Sequence, residues 1–118
     1  MKNKTILIIT ISTALLATST TYSNTVSIYG SVSCKKWNEE RKSEIDAKTP
    51  LDWIQARSSL RWVLGYLSAK NKMNQKGTDV LSSINAELVA DWTDKFCDEN
   101  KDKKIDDAAE ELFKKLSQ

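Results

Sequence analysis

From residue 34 onward the apolar positions recur at three- and four-residue spacing, the period of helices packed on one side. The first such stretch, Cys34 to Ala47, aligns Cys34, Trp37, Arg41 and Ile45 on a thin stripe. A sharper signal follows at Thr49-Pro50-Leu51-Asp52. Thr49 suits a helix cap, Pro50 the first turn, and Asp52 the positive N-terminal end. From Trp53 onward, steps of about 100° bring Ala56, Leu60, Val63, Leu64 and Leu67 into one sector, with Trp62 and Tyr66 on the other side. This second helix is expected to run unbroken and to form the spine, with Gly65 admitting a close neighbour. Lys70 to Gly77 reads as a loop, and Asp79 to Ile84 as a short helical turn.

Asn85 is a fitting cap for a helix reaching about Cys97, with Leu88, Val89, Trp92 and Phe96 as its main stripe. Ala86, Ala90, Thr93 and Cys97 make a second stripe of small residues, which lets the helix pack closely on the first and carries Cys97 towards Cys34. A last amphipathic helix spans about Ile105 to Leu116. The predicted fold is therefore all-α: a small bundle of four main helices and one short helical turn. A single Pro and three Gly fit that reading and disfavour loop-rich or β designs.

The N-terminus has a different pattern. Met1 to Lys4 is positive, Ile6 to Ala17 is apolar, and Thr18 to Ser23 is small and polar apart from Tyr22, the layout of a secretory signal peptide. The apolar run falls short of the roughly 20 residues that cross a bilayer, so cleavage after Ser23 is expected, with no stable membrane anchor afterwards. The organisation read from the sequence is thus a leader over 1–23, an extension over 24–33 lying against the body without forming a sheet, and a helical domain over 34–118. Export to the periplasm follows. Removing Lys2 and Lys4 from the 18 bases leaves a charge balance with the 16 acids, which excludes the basic excess of a nucleic-acid binder.

Export also places the two cysteines, Cys34 and Cys97, in an oxidising compartment, where one disulfide is expected. With no His and no Cys-x-x-Cys pair, zinc or redox chemistry has little support, and no cofactor is implied. Asp98 to Asp106 mimics the start of a calcium loop, but Lys103 stands where the loop needs Gly and Ala109 where it needs a bidentate Glu. No nucleophile has a His partner and no phosphate-binding Gly-rich loop occurs, so catalysis is not expected.

Two features instead suggest contact with another protein. Glu87, Asp91, Asp94 and Asp98 line one edge of the fourth predicted helix, as a solvated face answered by Lys95 and the arginines or as a dock for a basic partner. Trp62 with Tyr66 lies off the main stripe, as core beneath a neighbouring helix or as an exposed anchor. Arg57 and Arg61 beside them suit internal ion pairs, the more ordinary role, or contacts at the rim of a partner surface.

The segments Ser33-Cys34-Lys35-Lys36-Trp37, Trp62-Val63-Leu64-Gly65-Tyr66-Leu67-Ser68 and Trp92-Thr93-Asp94-Lys95-Phe96-Cys97, behind a leader and before a last amphipathic helix, resemble small exported bacterial proteins of the HdeA-like kind. They also resemble the Tai-type periplasmic immunity proteins. The resemblance implies an all-helical periplasmic domain in which Cys34 pairs with Cys97. HdeA-like members imply an acid-activated chaperone, and Tai-type members a stoichiometric inhibitor of a toxin. Similar small exported proteins also accompany plasmid transfer systems.

Overall fold

The structure, a computed structural model, describes residues 28–118. The expected leader over 1–23 and residues 24–27 lie outside the described residues. Five helices make up the body: α1 (Cys34–Ile45), α2 (Pro50–Ala56), α3 (Ser58–Lys72), α4 (Ala86–Glu99) and α5 (Ile105–Leu116). The all-α bundle expected from the periodicity is what forms, and its one disulfide joins Cys34 to Cys97 across α1 and α4 with the Cα atoms 4.9 Å apart.

Each helix begins where a side chain can satisfy its first N–H groups. Ser33 accepts from the Lys36 N–H, Asn85 from the Leu88 N–H, and Thr49 exchanges hydrogen bonds with Asp52 in a capping box. The core forms where α3 and α4 pack on α5 and on each other, and α1 closes over α4. Trp37, Leu60, Val63, Leu67, Val89 and Ile105 are all buried there. Burying side chains of this size contributes about 1.5 to 3 kcal/mol each before chain entropy is counted.

Several expectations are corrected. α1 ends at Ile45, two residues short of Ala47, and Ile45 is 85% exposed. Its inward face is continued instead by Arg41 and Glu44, which reach other helices through ion pairs. The spine helix is broken. Arg57, at φ −98° and ψ 14°, ends α2 and starts α3. The break has a partner on α1: Glu40 accepts from the Ser59 N–H at 3.0 Å and from the Ser58 hydroxyl, so a carboxylate of another helix caps α3. With the helix interrupted there, Trp53 is exposed and leaves the sector in which Ala56, Leu60, Val63 and Leu67 are buried and Leu64 is partly buried.

α3 then runs to Lys72, into the segment expected to be a loop. Gly65 makes no close approach, since a Cβ there would meet nothing within 4 Å. Asp79 to Ile84 forms hydrogen-bonded turns in which Asp79 accepts from the Leu81 N–H at 3.1 Å, the capping role expected of it, and the Ile84 N–H donates to the Leu81 carbonyl at 3.2 Å. Asn71 fixes them by donating to Asp79 at 2.7 Å and accepting from the Val80 N–H at 2.9 Å. On α4, Leu88 is exposed and drops from the expected stripe, whereas Val89, Ala90, Thr93, Phe96 and Cys97 are buried.

Residues 31–33 run along the start of α5, and Tyr29 and Gly30 lie against Trp62 of α3. The Ile105 N–H donates to the Val32 carbonyl at 3.0 Å and the Cys34 N–H to the Lys103 carbonyl at 2.9 Å, around a single antiparallel bridge between Ser33 and Lys104. Gly30 is required here. It has φ +82°, and a Cβ would stand 2.5 Å from Trp62 Nε1.

Candidate functional site

Trp62 and Tyr66, one turn apart on α3, stack with ring centroids 5.1 Å apart. Both are half-buried and internally engaged. The indole N–H of Trp62 donates to the Tyr29 carbonyl at 2.9 Å, and the Tyr66 hydroxyl donates to Glu110 of α5. Lys70 donates to the same carboxylate at 2.6 and 2.7 Å. Burial, together with the bond to Glu110, pushes the Tyr66 phenol well above its ordinary value. Burial opposes ionisation of Glu110, but the bonds from Lys70 and Tyr66 hold its carboxyl below the usual value. The stabilisation from Glu110 is therefore present above the ordinary carboxylate range and lost as the pH falls through its depressed value. That from Tyr66 is present below the ordinary phenol pKa and lost as the pH rises towards its raised one.

The four acids read as one ridge do different work. Asp94 receives the Trp37 indole N–H at 2.7 Å and a fork from Arg41, with Nε at 3.0 Å and Nη2 at 3.0 Å. These bonds to Asp94, opposed by burial and reinforced by Glu44, raise the Arg41 guanidinium above its already high value. Glu87 accepts from Arg57 at 3.0 Å, and Arg57 donates to Glu44 at 2.7 Å. A relay of charges thus runs from Asp94 through Arg41, Glu44 and Arg57 to Glu87, tying α1 to α4 and to the α2–α3 junction. Asp91 and Asp98 stand exposed. Of Arg57 and Arg61, only Arg57 joins this relay beside Arg41; Arg61 is exposed and enters no ion pair among the described residues.

The calcium-like stretch is divided between elements. Asp98 and Glu99 close α4, Asn100 caps it by donating to the Phe96 carbonyl at 2.9 Å, and Asp106 lies in α5 beside the Ser31 hydroxyl. Among the described residues no group of three or more His, Cys, Asp or Glu converges as metal ligands would.

The surface that sequence reasoning missed is α2. Of its seven residues only Ala56 is buried, while Leu51, Trp53 and Ile54 are 61%, 46% and 45% exposed. The helix is nonetheless fixed at both ends. Thr49 and Asp52 close the capping box at 3.1 Å in each direction, and the Arg57 guanidinium lies 4.6 Å from the Trp53 ring centroid while bound to Glu44 and Glu87. Between α1 and α2 runs an open groove of about 600 Å³ whose walls include Lys36, Ser43, Asp46, Lys48 and Gln55. The Thr49 cap marked where α2 begins, but no signal near Arg57 marked where it ends. The start at Pro50 and the restart at Ser58 leave a helix of seven residues, about two turns, of which only Ala56 is buried.

Among the described residues no helix is long and apolar enough to cross a membrane. Compared with family models, curated proteins and solved structures, the chain gives no match.

Proposed function

We propose that this chain is a noncatalytic protein of the periplasm that acts by binding another protein, as an immunity-type inhibitor of a toxin or effector does. The observation that carries the reading is α2: three exposed apolar side chains on a helix held rigid by its cap and by Arg57. Exposed aromatic and aliphatic anchors on a preorganised element lower the ordering cost of association. The buried disulfide supports the exported location, and the Tai-type resemblance supports the inhibitor reading. Trp62 and Tyr66, spent on Tyr29 and Glu110, are assigned here to holding α3 on α5 and on the extension. Within the ridge, Asp91 and Asp98 remain available to a partner, while Glu87 and Asp94 are tied to Arg57, Arg41 and Trp37.

One observation favours the acid-stress chaperone as a second reading. Among the described residues, every side-chain-to-side-chain hydrogen bond between helices is accepted by a carboxylate: Glu40, Glu44, Glu87, Asp94 or Glu110. Of these, Glu110 is held below its ordinary value by Lys70 and Tyr66, so its protonation in strong acid weakens the tie between α3 and α5.

One experiment with two arms separates the readings. At pH 7 the oxidised protein is mixed with the products of the adjoining genes. The expected result is a one-to-one complex by size-exclusion chromatography, weakened at least about tenfold by the double variant Leu51→Ser, Ile54→Ser. Near pH 2, light scattering of an acid-denatured client follows aggregation, and no suppression is expected. Strong suppression at pH 2 with no complex at pH 7 replaces the inhibitor with the chaperone.

A further inference from the structure

The seam between α3 and α4 is not fully closed. A pocket of about 150 Å³ opens there beside the turns before α4, and six of the residues that line it are apolar: Leu64, Leu67, Leu81, Ile84, Ala86 and Val89. Val89 and Leu67, at 0% and 1% exposure, belong to the core, while Leu64, Leu81 and Ile84 are only partly buried and keep apolar surface towards the opening. The turns that carry Leu81 and Ile84 cannot simply fold inward, because Asn71 holds them through Asp79 and the Val80 N–H. The remaining lining residues, Ser68 and Asn85, are neutral. The Ser68 hydroxyl donates to the Leu64 carbonyl at 2.7 Å, and the Asn85 side-chain oxygen accepts from the Leu88 N–H at 2.9 Å. These bonds take up much of the polar capacity of the walls, and an ordered water, which needs two to four polar partners, is poorly held there. No charged side chain among the described residues lines the pocket, and Glu87, next to Ala86 in sequence, is bound to Arg57.

We propose that this pocket binds a small uncharged apolar molecule, a single aromatic ring or a branched aliphatic chain of about the same bulk. An apolar cavity of roughly 150 Å³ is large enough for benzene, whereas pockets for drug-sized ligands begin at about 300 Å³, so the volume limits the occupant to one ring. Such a molecule covers the open sides of Leu64, Leu81 and Ile84 in place of water. A charged one meets no counter-ion and loses its hydration against aliphatic walls. Around the opening, Ser68, Ser82, Ser83 and Asn85 are exposed. The apolar spot is thus small and ringed by neutral polar groups, which suits a free ligand better than the broad apolar contact that α2 offers to a protein. The site is separate from α2 and does not depend on the protein-binding reading.

The test records methyl NMR spectra of the full oxidised chain at pH 7 during titration with toluene and, separately, with benzoate. Toluene is expected to shift the methyl signals of Leu64, Leu67, Leu81, Ile84 and Val89 along a saturable curve, with a Kd of about 1 mM or tighter. Benzoate, the same ring with a charge, is expected to bind at least about tenfold more weakly. Ala86→Leu and Ser68→Leu fill the pocket from opposite walls, α4 and α3. Whichever keeps the native spectrum elsewhere is expected to weaken toluene binding at least about tenfold. Toluene shifts that do not saturate, that gather instead on Leu51 and Ile54 of α2, or that persist unchanged in the filled variants overturn the proposal. Benzoate binding as tightly as toluene overturns it too. A protein that forms a complex and displaces toluene from these methyls makes a partner side chain the occupant, which overturns the free ligand. Because the readout lies on α3, α4 and the turns between them, failure here leaves the α2 reading standing.

Discussion

Replacing Cys34 and Cys97 together by serine is expected to lower stability at pH 7 by about 4 kcal/mol, read as a fall in the urea midpoint with a steeper slope, because the unfolded chain without its crosslink exposes more surface. The crosslink spans 63 residues, from the start of α1 to near the end of α4, so opening it returns a large loop entropy to the unfolded chain. Both sulfurs are fully buried in the core between α1 and α4. A domain of this size has about 5 to 15 kcal/mol in total, so the loss is a large share of it. α1 is the element that suffers most. Besides the disulfide it buries only Trp37, and the rest of its inward face is the polar pair Arg41 and Glu44. Without the sulfur bridge, α1 and with it the α1–α2 groove are held to the bundle chiefly through Asp94, Glu40 and Arg57.

Asp94→Ala is expected to cost about 2 to 3 kcal/mol in the same measurement, and Asp91→Ala, on the exposed part of the same edge, less than about 0.5 kcal/mol. The difference lies in what each carboxylate holds. Asp94 is the acceptor for the indole N–H of a tryptophan that is 1% exposed, and it takes the Arg41 fork as well. Alanine leaves the Trp37 N–H without its partner in a closed setting and releases Arg41 to solvent. Since Arg41 and Asp94 are themselves partly open, at 24% and 34% side-chain exposure, the cost stays below that of breaking a fully buried pair. Asp94→Asn is expected to fall between the two, because its amide oxygen can still accept from Trp37 while the charge facing Arg41 is gone.

How much of this was legible depends on which force decides each element. Period and caps predicted α4, α5 and the start of α2, because Asn85, Thr49 and Pro50 act within one turn of their own sequence. The small stripe Ala90, Thr93 and Cys97 foretold the meeting of α4 with α1 for the same local reason. The break at Arg57 was not legible. It depends on Glu40, 19 residues away from Ser59, supplying the cap that no neighbour in sequence provides. The acidic ridge could be counted but not divided, since only the fold shows that Asp94 turns to Trp37 and Arg41 while Asp91 does not. α2 escaped notice because a continuous helix would have buried Trp53 beside Ala56. Once the chain restarts at Ser58, that side chain and its neighbours Leu51 and Ile54 face outward.

Binding of a periplasmic partner through α2 requires that the chain be exported and then locked by its sulfur bridge in the form that offers α2. Intact-mass spectrometry of the protein released from the cell envelope, before and after alkylation under denaturing conditions, tests this most directly. The expected result is a chain beginning at Asn24, two hydrogens lighter than its reduced form, that takes up no alkylating agent until reduced. A full-length chain recovered with the cytosolic fraction, alkylated at both Cys34 and Cys97 without reduction, would contradict it.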